Sequence, residues 1–216
     1  MVQFTGSKLH CIRGERVVFS SLDFKIESGQ ALVLQGANGS GKSSLLRLMA
    51  GLLKPETGSL LWDGEQTDEG ADVHSARLHY LGHGNAVKPA LSVRENLNFW
   101  AGLITAKERK AQDGFGVEAA LKRFEIAHLA DLPARFLSAG QCRRLALARL
   151  LCATAPLWLL DEPTNALDAR STEVLADLIG EHRAQGGMVA LATHSRDVPA
   201  DMQSLELGDY AVDQIQ

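Results

Sequence analysis

The chain has 216 residues, of which 45% are hydrophobic and 22% charged, and its formal net charge is -4. This is the balance of one globular domain, or of a domain with an insertion, and it supplies no broad positive field for nucleic acid. Its apolar runs fall far short of the roughly 20 residues that a bilayer-crossing helix needs.

The N-terminus, Met1 to Lys8, lacks the basic region and apolar stretch of a secretory signal, so a cytoplasmic location is expected. Leu22, Phe24 and Ile26 alternate with polar neighbours, which predicts a strand with one exposed face. Gly29 interrupts the pattern before Ala31-Leu32-Val33-Leu34, a run that reads as a buried central strand. Next comes the loop Gly36-Ala37-Asn38-Gly39-Ser40-Gly41-Lys42-Ser43, and the stretch Ser43 to Ala50, with its leucines and no breakers, suits a helix ending at Gly51.

In a GxxxxGK[ST] loop the glycines let backbone N–H groups curl around an anion, and the following helix adds the positive end of its dipole. The expected occupant is a nucleoside triphosphate with Mg2+. Lys42 can reach its β- and γ-phosphate oxygens, and the Ser43 hydroxyl can enter the metal shell. A glycine turn without a ligand is the bland alternative.

Leu78 to Leu81, Leu157 to Leu160 and Met188 to Ala192 read as further buried strands separated by helical stretches, which predicts an α/β fold with a parallel sheet. Between about 92 and 155 the pattern is helical throughout. Ser92 and Glu95 make a capping box, and Leu97, Trp100, Leu103 and Ile104 recur at helical spacing. Lys107-Glu108-Arg109-Lys110, with Gly114 and Gly116, reads as a solvated connection between helices.

The strand Leu157 to Leu160 delivers Asp161 and Glu162 at its C-terminal end, where ligands bind in open α/β sheets. Asp161 is the candidate to hold magnesium, and Glu162 to orient or deprotonate the attacking water. Cys11, Cys142 and Cys152 are too scattered for a disulfide framework or a metal knuckle and are expected as free thiols. No C-x-x-C-H string accompanies the seven histidines, so direct haem binding is not expected.

Leu137-Ser138-Ala139-Gly140-Gln141, followed by Arg143, Arg144 and a helix expected to run through Leu151, resembles the LSGGQ signature of ABC ATPases, with Ala139 in place of one glycine. The resemblance implies a P-loop NTPase (RecA-like) core with a mainly parallel sheet, N-terminal antiparallel strands and an α-helical subdomain inserted at about 85–155, all within a single domain over 1–216. It also assigns Asn165-Ala166-Leu167-Asp168 to the D-loop and His194 to the switch histidine that contacts the γ-phosphate. Two such chains face each other, so Ser138, Gly140 and Gln141 of one would complete the phosphate site built around Lys42 of the other.

Two positions depart from the general pattern. Arg13 stands where an aromatic residue usually stacks on adenine, and Gly84, beside His83, stands where a glutamine usually senses the metal and the membrane partner. Together with the LSAGQ string, these departures resemble the haem-exporter ATPases of cytochrome c maturation. That resemblance implies integral membrane partner subunits and a place on the cytoplasmic face of the inner membrane. The alternatives are another small exporter's ATPase or a soluble non-transport clamp. A GTPase or kinase shares only the loop, since a guanine-reading NKxD string is absent.

Overall fold

The computed structural model describes residues 2–107, 116–194 and 199–211. Strands β1 (Gln3–Arg13) and β2 (Arg16–Glu27) pair antiparallel. β1 also pairs antiparallel with the later β4 (Thr57–Trp62), which in turn pairs with the short β5 (Glu65–Gln66). In β2 the predicted alternation holds, with Leu22, Phe24 and Ile26 buried between exposed neighbours. A second sheet holds β3 (Ala31–Gln35), β6 (Leu78–Leu81), β7 (Leu157–Asp161), β8 (Met188–Ala192) and β9 (Gln203–Glu206) in the order β6-β7-β8-β3-β9. Every pairing in it is parallel. Covered on both faces, its central strands need continuous apolar runs, and all five residues of β7 are buried.

Helix α1 (Lys42–Met49) buries Leu45, Leu46, Leu48 and Met49, and it stops where the sequence predicts. Gly51, with φ 69, donates its N–H to Leu48 O, and Leu52 N–H reaches back to Arg47 O, so the last carbonyls are satisfied by a left-handed turn that glycine adopts without a Cβ penalty. The short α2 (Ala71–Ala76) places His74 Nε2 2.8 Å from Met49 O, another carbonyl at the same helix end.

The chain divides into two compact units. One comprises residues 1–82, 156–162 and 182–216, and contains both sheets; the other comprises 83–155 and 163–181. The second unit is helical, with α3 (Val93–Lys107), α4 (Gly116–Arg123), α5 (Ala139–Ala148) and most of α6 (Ala169–Ala184). The capping box at α3 forms as read: Ser92 N–H donates to Glu95 Oε2 at 2.7 Å, and Glu95 N–H to Ser92 Oγ at 3.1 Å.

Two details of this region depart from expectation. The helix expected to reach Leu151 ends at Ala148 and tightens into a 3-10 turn over Arg149–Leu151, a common way for a helix to close. Gly116 opens α4 rather than lying in the connection, while residues 108–110 and Gly114 lie outside the described residues. The cysteines are free, Cys11 and Cys152 buried and Cys142 partly so. Among the described residues, no helix is long and apolar enough to cross a membrane.

Candidate functional site

In the first unit, neighbouring strands β7, β8 and β3 run parallel, so their C-terminal ends lie on the same edge of the sheet. Glu162 follows β7, His194 lies two residues beyond β8, and the glycine-rich loop follows β3. The loop bends through Gly36 (φ 138), Gly39 (φ 79) and Gly41 (φ 108), with Ser40 N–H closing a turn on Ala37 O at 3.1 Å. Ala37, Asn38 and Gly39 are exposed, whereas Ser40 and Ser44 are half-buried. Gly41 is held closely from behind, because a Cβ there would lie 2.5 Å from Val18 Cγ1 and 3.0 Å from Phe19 Cδ1 of β2.

Lys42 is only 6% exposed. Its ammonium donates to Gly36 O at 2.6 Å and to Ala37 O at 3.1 Å, the hydrogen bonding that a buried cation requires. The lysine is thereby held within the loop whose N–H groups and helix end favour an anion. Ser40 Oγ is buried without a hydrogen-bond partner among the described residues, a polar atom left available in the cradle.

Ser43 Oγ donates to Asp161 Oδ1 at 3.0 Å across 118 residues of sequence. Asp161 is 1% exposed, so the fold places a carboxylate and a hydroxyl together at the foot of the phosphate loop. These hard oxygen donors fit Mg2+, which takes one or two protein oxygens and fills its shell with phosphate oxygens and water.

Glu162 has φ 47, a left-handed conformation that costs a residue other than glycine about 1–2 kcal/mol. Its N–H donates to Ala192 O at 3.1 Å, tying the strained turn to the end of β8. Its Oε1 accepts from His194 Nε2 at 2.6 Å, with side-chain exposures of 21% for Glu162 and 46% for His194. The two residues thus form an accessible carboxylate–imidazole pair, suited to orienting a water or carrying its proton. Arg13 ends β1 and is exposed.

The helical unit carries the signature string. Ser138 caps α5: its Oγ accepts from Gln141 N–H at 3.2 Å, while Gln141 Oε1 accepts from Ser138 N–H at 2.8 Å. This capping box follows the same S-x-x-[EQ] pattern as Ser92 and Glu95, so its signal was present in the sequence although the string was read only as a signature. At Gly140 a Cβ would lie 2.9 Å from Ala166 O, and Ala166 itself has φ 64, so signature and D-loop pack backbone to backbone. Asp168 Oδ1 accepts from Ser171 N–H at 2.8 Å, and bonding to Ser171 holds its carboxyl below the usual range.

After β6, His83 and Gly84 are exposed, and Gly84 would place a Cβ in open space. The side chain engaged there is that of Asn85, whose Oδ1 accepts from Arg143 Nη1 at 3.1 Å. Neither residue was read from sequence as a pair, and their separation of 58 positions left no local signal.

A parallel sheet whose strand ends gather a glycine-rich phosphate loop, a buried acid bonded to the Ser43 hydroxyl and a carboxylate–imidazole pair, in a chain that also bears the signature string, defines an ABC-type ATPase. A match to the ABC transporter family spans residues 19–165, and the chain belongs to that family. It is an ATP-binding, ATP-hydrolysing subunit of the transporter type. It is 56% identical to the cytochrome c biogenesis ATP-binding export protein CcmA of Paramagnetospirillum magneticum, over 97% of this chain and 95% of that one. It is 51% identical to the protein of the same name from Rhodospirillum rubrum, over 97% and 88%. A solved dimer of an ATP-binding cassette in a post-hydrolysis state, bound to ADP and Pi, matches with a TM-score of 0.83 at 26% identity, over 99% of this chain and 97% of that one.

Proposed function

We propose that this chain couples ATP hydrolysis to haem export, or to release of a haem chaperone, in cytochrome c maturation. It would act as one of two copies bound to integral membrane subunits at the cytoplasmic face of the inner membrane. The observation that carries the reading is identity of 56%, over 97% of this chain, to a relative named for export in cytochrome c biogenesis. The LSAGQ string and the departures at Arg13 and Gly84 support the same subfamily.

Within one chain, residues 36–44 cradle the phosphates, and Lys42 moves from its two carbonyl acceptors to the β- and γ-phosphate oxygens. Arg13 stacks its guanidinium on the adenine. Ser43 and Asp161 hold Mg2+, which when bound neutralises charge developing on the transferred phosphoryl group. Glu162 orients the attacking water and accepts its proton, while His194 holds that carboxylate through Nε2 and presents the imidazole to the γ-phosphate. Ser138, Gly140 and Gln141 of the second copy close over the triphosphate with the N-terminal end of α5, so that ATP becomes part of the interface. Loss of the γ-phosphate then removes an interface component and loosens the pair. The helical unit that carries this string serves as the inserted subdomain.

Glu162→Gln tests the mechanism: turnover should fall by about 10²–10⁴-fold, with an ATP-bound dimer accumulating on size-exclusion chromatography. Undiminished hydrolysis would remove Glu162 from the role of base. Membrane association that depends on the partner subunits supports the transport role, whereas co-purification with ribosomes or DNA would overturn it.

A further inference from the structure

We propose that Arg143 is a positioning residue for hydrolysis, binding the loop after β6 and the turn that follows Glu162 to the helix bearing the signature string. The inference rests on the paired-copy ATPase reading above. All the contacts that carry it lie inside the helical unit.

Arg143 sits one turn into α5 and is 3% exposed. A buried guanidinium has five donors and no acceptor, so its position is set by the acceptors around it. Nε donates to the carbonyl of Pro163 at 3.1 Å, and Nη1 to Asn85 Oδ1 at 3.1 Å. Its planar fork fixes the direction of these two bonds relative to each other, which a lysine's single ammonium would not do.

Each partner is fixed a second time. The backbone carbonyl of Asn85 accepts from Arg149 Nη1 at 3.3 Å, and the Arg149 guanidinium lies 3.7 Å from the centre of the Trp100 ring. The turn that begins at Pro163 meets α5 again where Ala166 O packs on Gly140. The loop of Asn85, the Pro163–Asp168 turn and the first turns of α5 therefore form one cluster, with Arg143 as its central donor. Two of these segments lead to the reacting nucleotides: Gly140 belongs to the signature that closes over the second copy's triphosphate, and the turn continues directly from Glu162, which acts on the chain's own. A displacement of the Asn85 loop, the chain's departure from β6, is transmitted through the Arg143 fork to both.

A residue that only filled space would alter stability and leave the partition between binding and turnover untouched. The test uses the chain purified with its membrane subunits. Arg143→Gln should lower kcat for ATP about 10- to 100-fold, the scale of small misplacements at a reacting centre, with KM within about twofold. In the Glu162→Gln background it should also weaken ATP-dependent dimer formation, while a fluorescent ATP analogue binds the single chain as before. Asn85→Ala should act in the same direction, and adding it to Arg143→Gln should lower kcat no further, as expected for two members of one contact. If Arg143→Gln does not fold, Asn85 decides alone: Asn85→Asp, which keeps the acceptor, should hold kcat near that of the parent, where Asn85→Ala loses it.

Parent-like kcat in Arg143→Gln, additive losses in the double variant, or equal losses in Asn85→Asp and Asn85→Ala would each overturn the proposal. An inactive parent would overturn the ATPase reading and this inference together. An active parent with active variants overturns only the inference.

Discussion

Alanine at Gly41 tests whether the phosphate loop is held by the strand behind it. Gly41 has φ 108, so any Cβ meets the penalty for left-handed backbone of about 1–2 kcal/mol. The added atom would lie 2.5 Å from Val18 Cγ1 and 3.0 Å from Phe19 Cδ1, and Phe19 is fully buried and unable to retreat into solvent. Crowding of that kind costs about 1–3 kcal/mol, which brings the total to about 2–5 kcal/mol. Out of a typical stability of about 5–15 kcal/mol, this corresponds to a drop in melting temperature on the order of 10 °C. Gly39→Ala is the internal control: φ there is 79, but the Cβ would meet nothing within 4 Å, so only the backbone penalty applies. Calorimetry of both variants, with ATP binding measured alongside, should show Gly41→Ala less stable than Gly39→Ala by about 1–3 kcal/mol. Equal melting temperatures for the two variants would refute the packing argument.

Asn96 is 1% exposed; its Oδ1 accepts from Lys88 N–H at 2.8 Å, and its Nδ2 donates to the carbonyls of Lys88, Leu91 and Ser92. Asn96→Ala strands these groups and should destabilise the chain by about 1–3 kcal/mol, measurable by denaturant titration. Ser138→Ala removes the cap of α5 and should lower stability by about 1 kcal/mol, read as a drop in melting temperature. Burial pushes the His74 imidazole below its ordinary pKa, the bond to Met49 O opposes this, and the Arg77 charge adds to the lowering. Burial lowers His182 likewise, with its ring stacked 4.0 Å from that of Trp158. Both are therefore folded as neutral rings. Their stability is complete above about pH 6.5 and is lost as pH falls through that unfolded value toward the lower folded one. Melting temperatures should decline from pH 7.5 to 5.5, and less steeply in His74→Gln.

Local signals in the sequence were strong where one segment suffices to determine a structure. The four apolar residues before Gln35 and the four before Asp161 read as strands buried on both faces and form β3 and β7, and the breaker Gly51 ends α1 through its own backbone freedom. The order of phosphate loop, signature string, acidic pair and His194 also identified the ATPase class, because each of these is a short, contiguous string.

What only the tertiary structure decided are the meetings of distant residues. Ser43 with Asp161, Glu162 with His194, His74 with the end of α1, and Arg143 with Asn85 and Pro163 come together through strand order and helix packing, which no local pattern encodes. The left-handed turns at Glu162 and Ala166 belong to the same group. A non-glycine residue tolerates such a conformation only where surrounding contacts enforce it, and those contacts arrive from elsewhere in the chain.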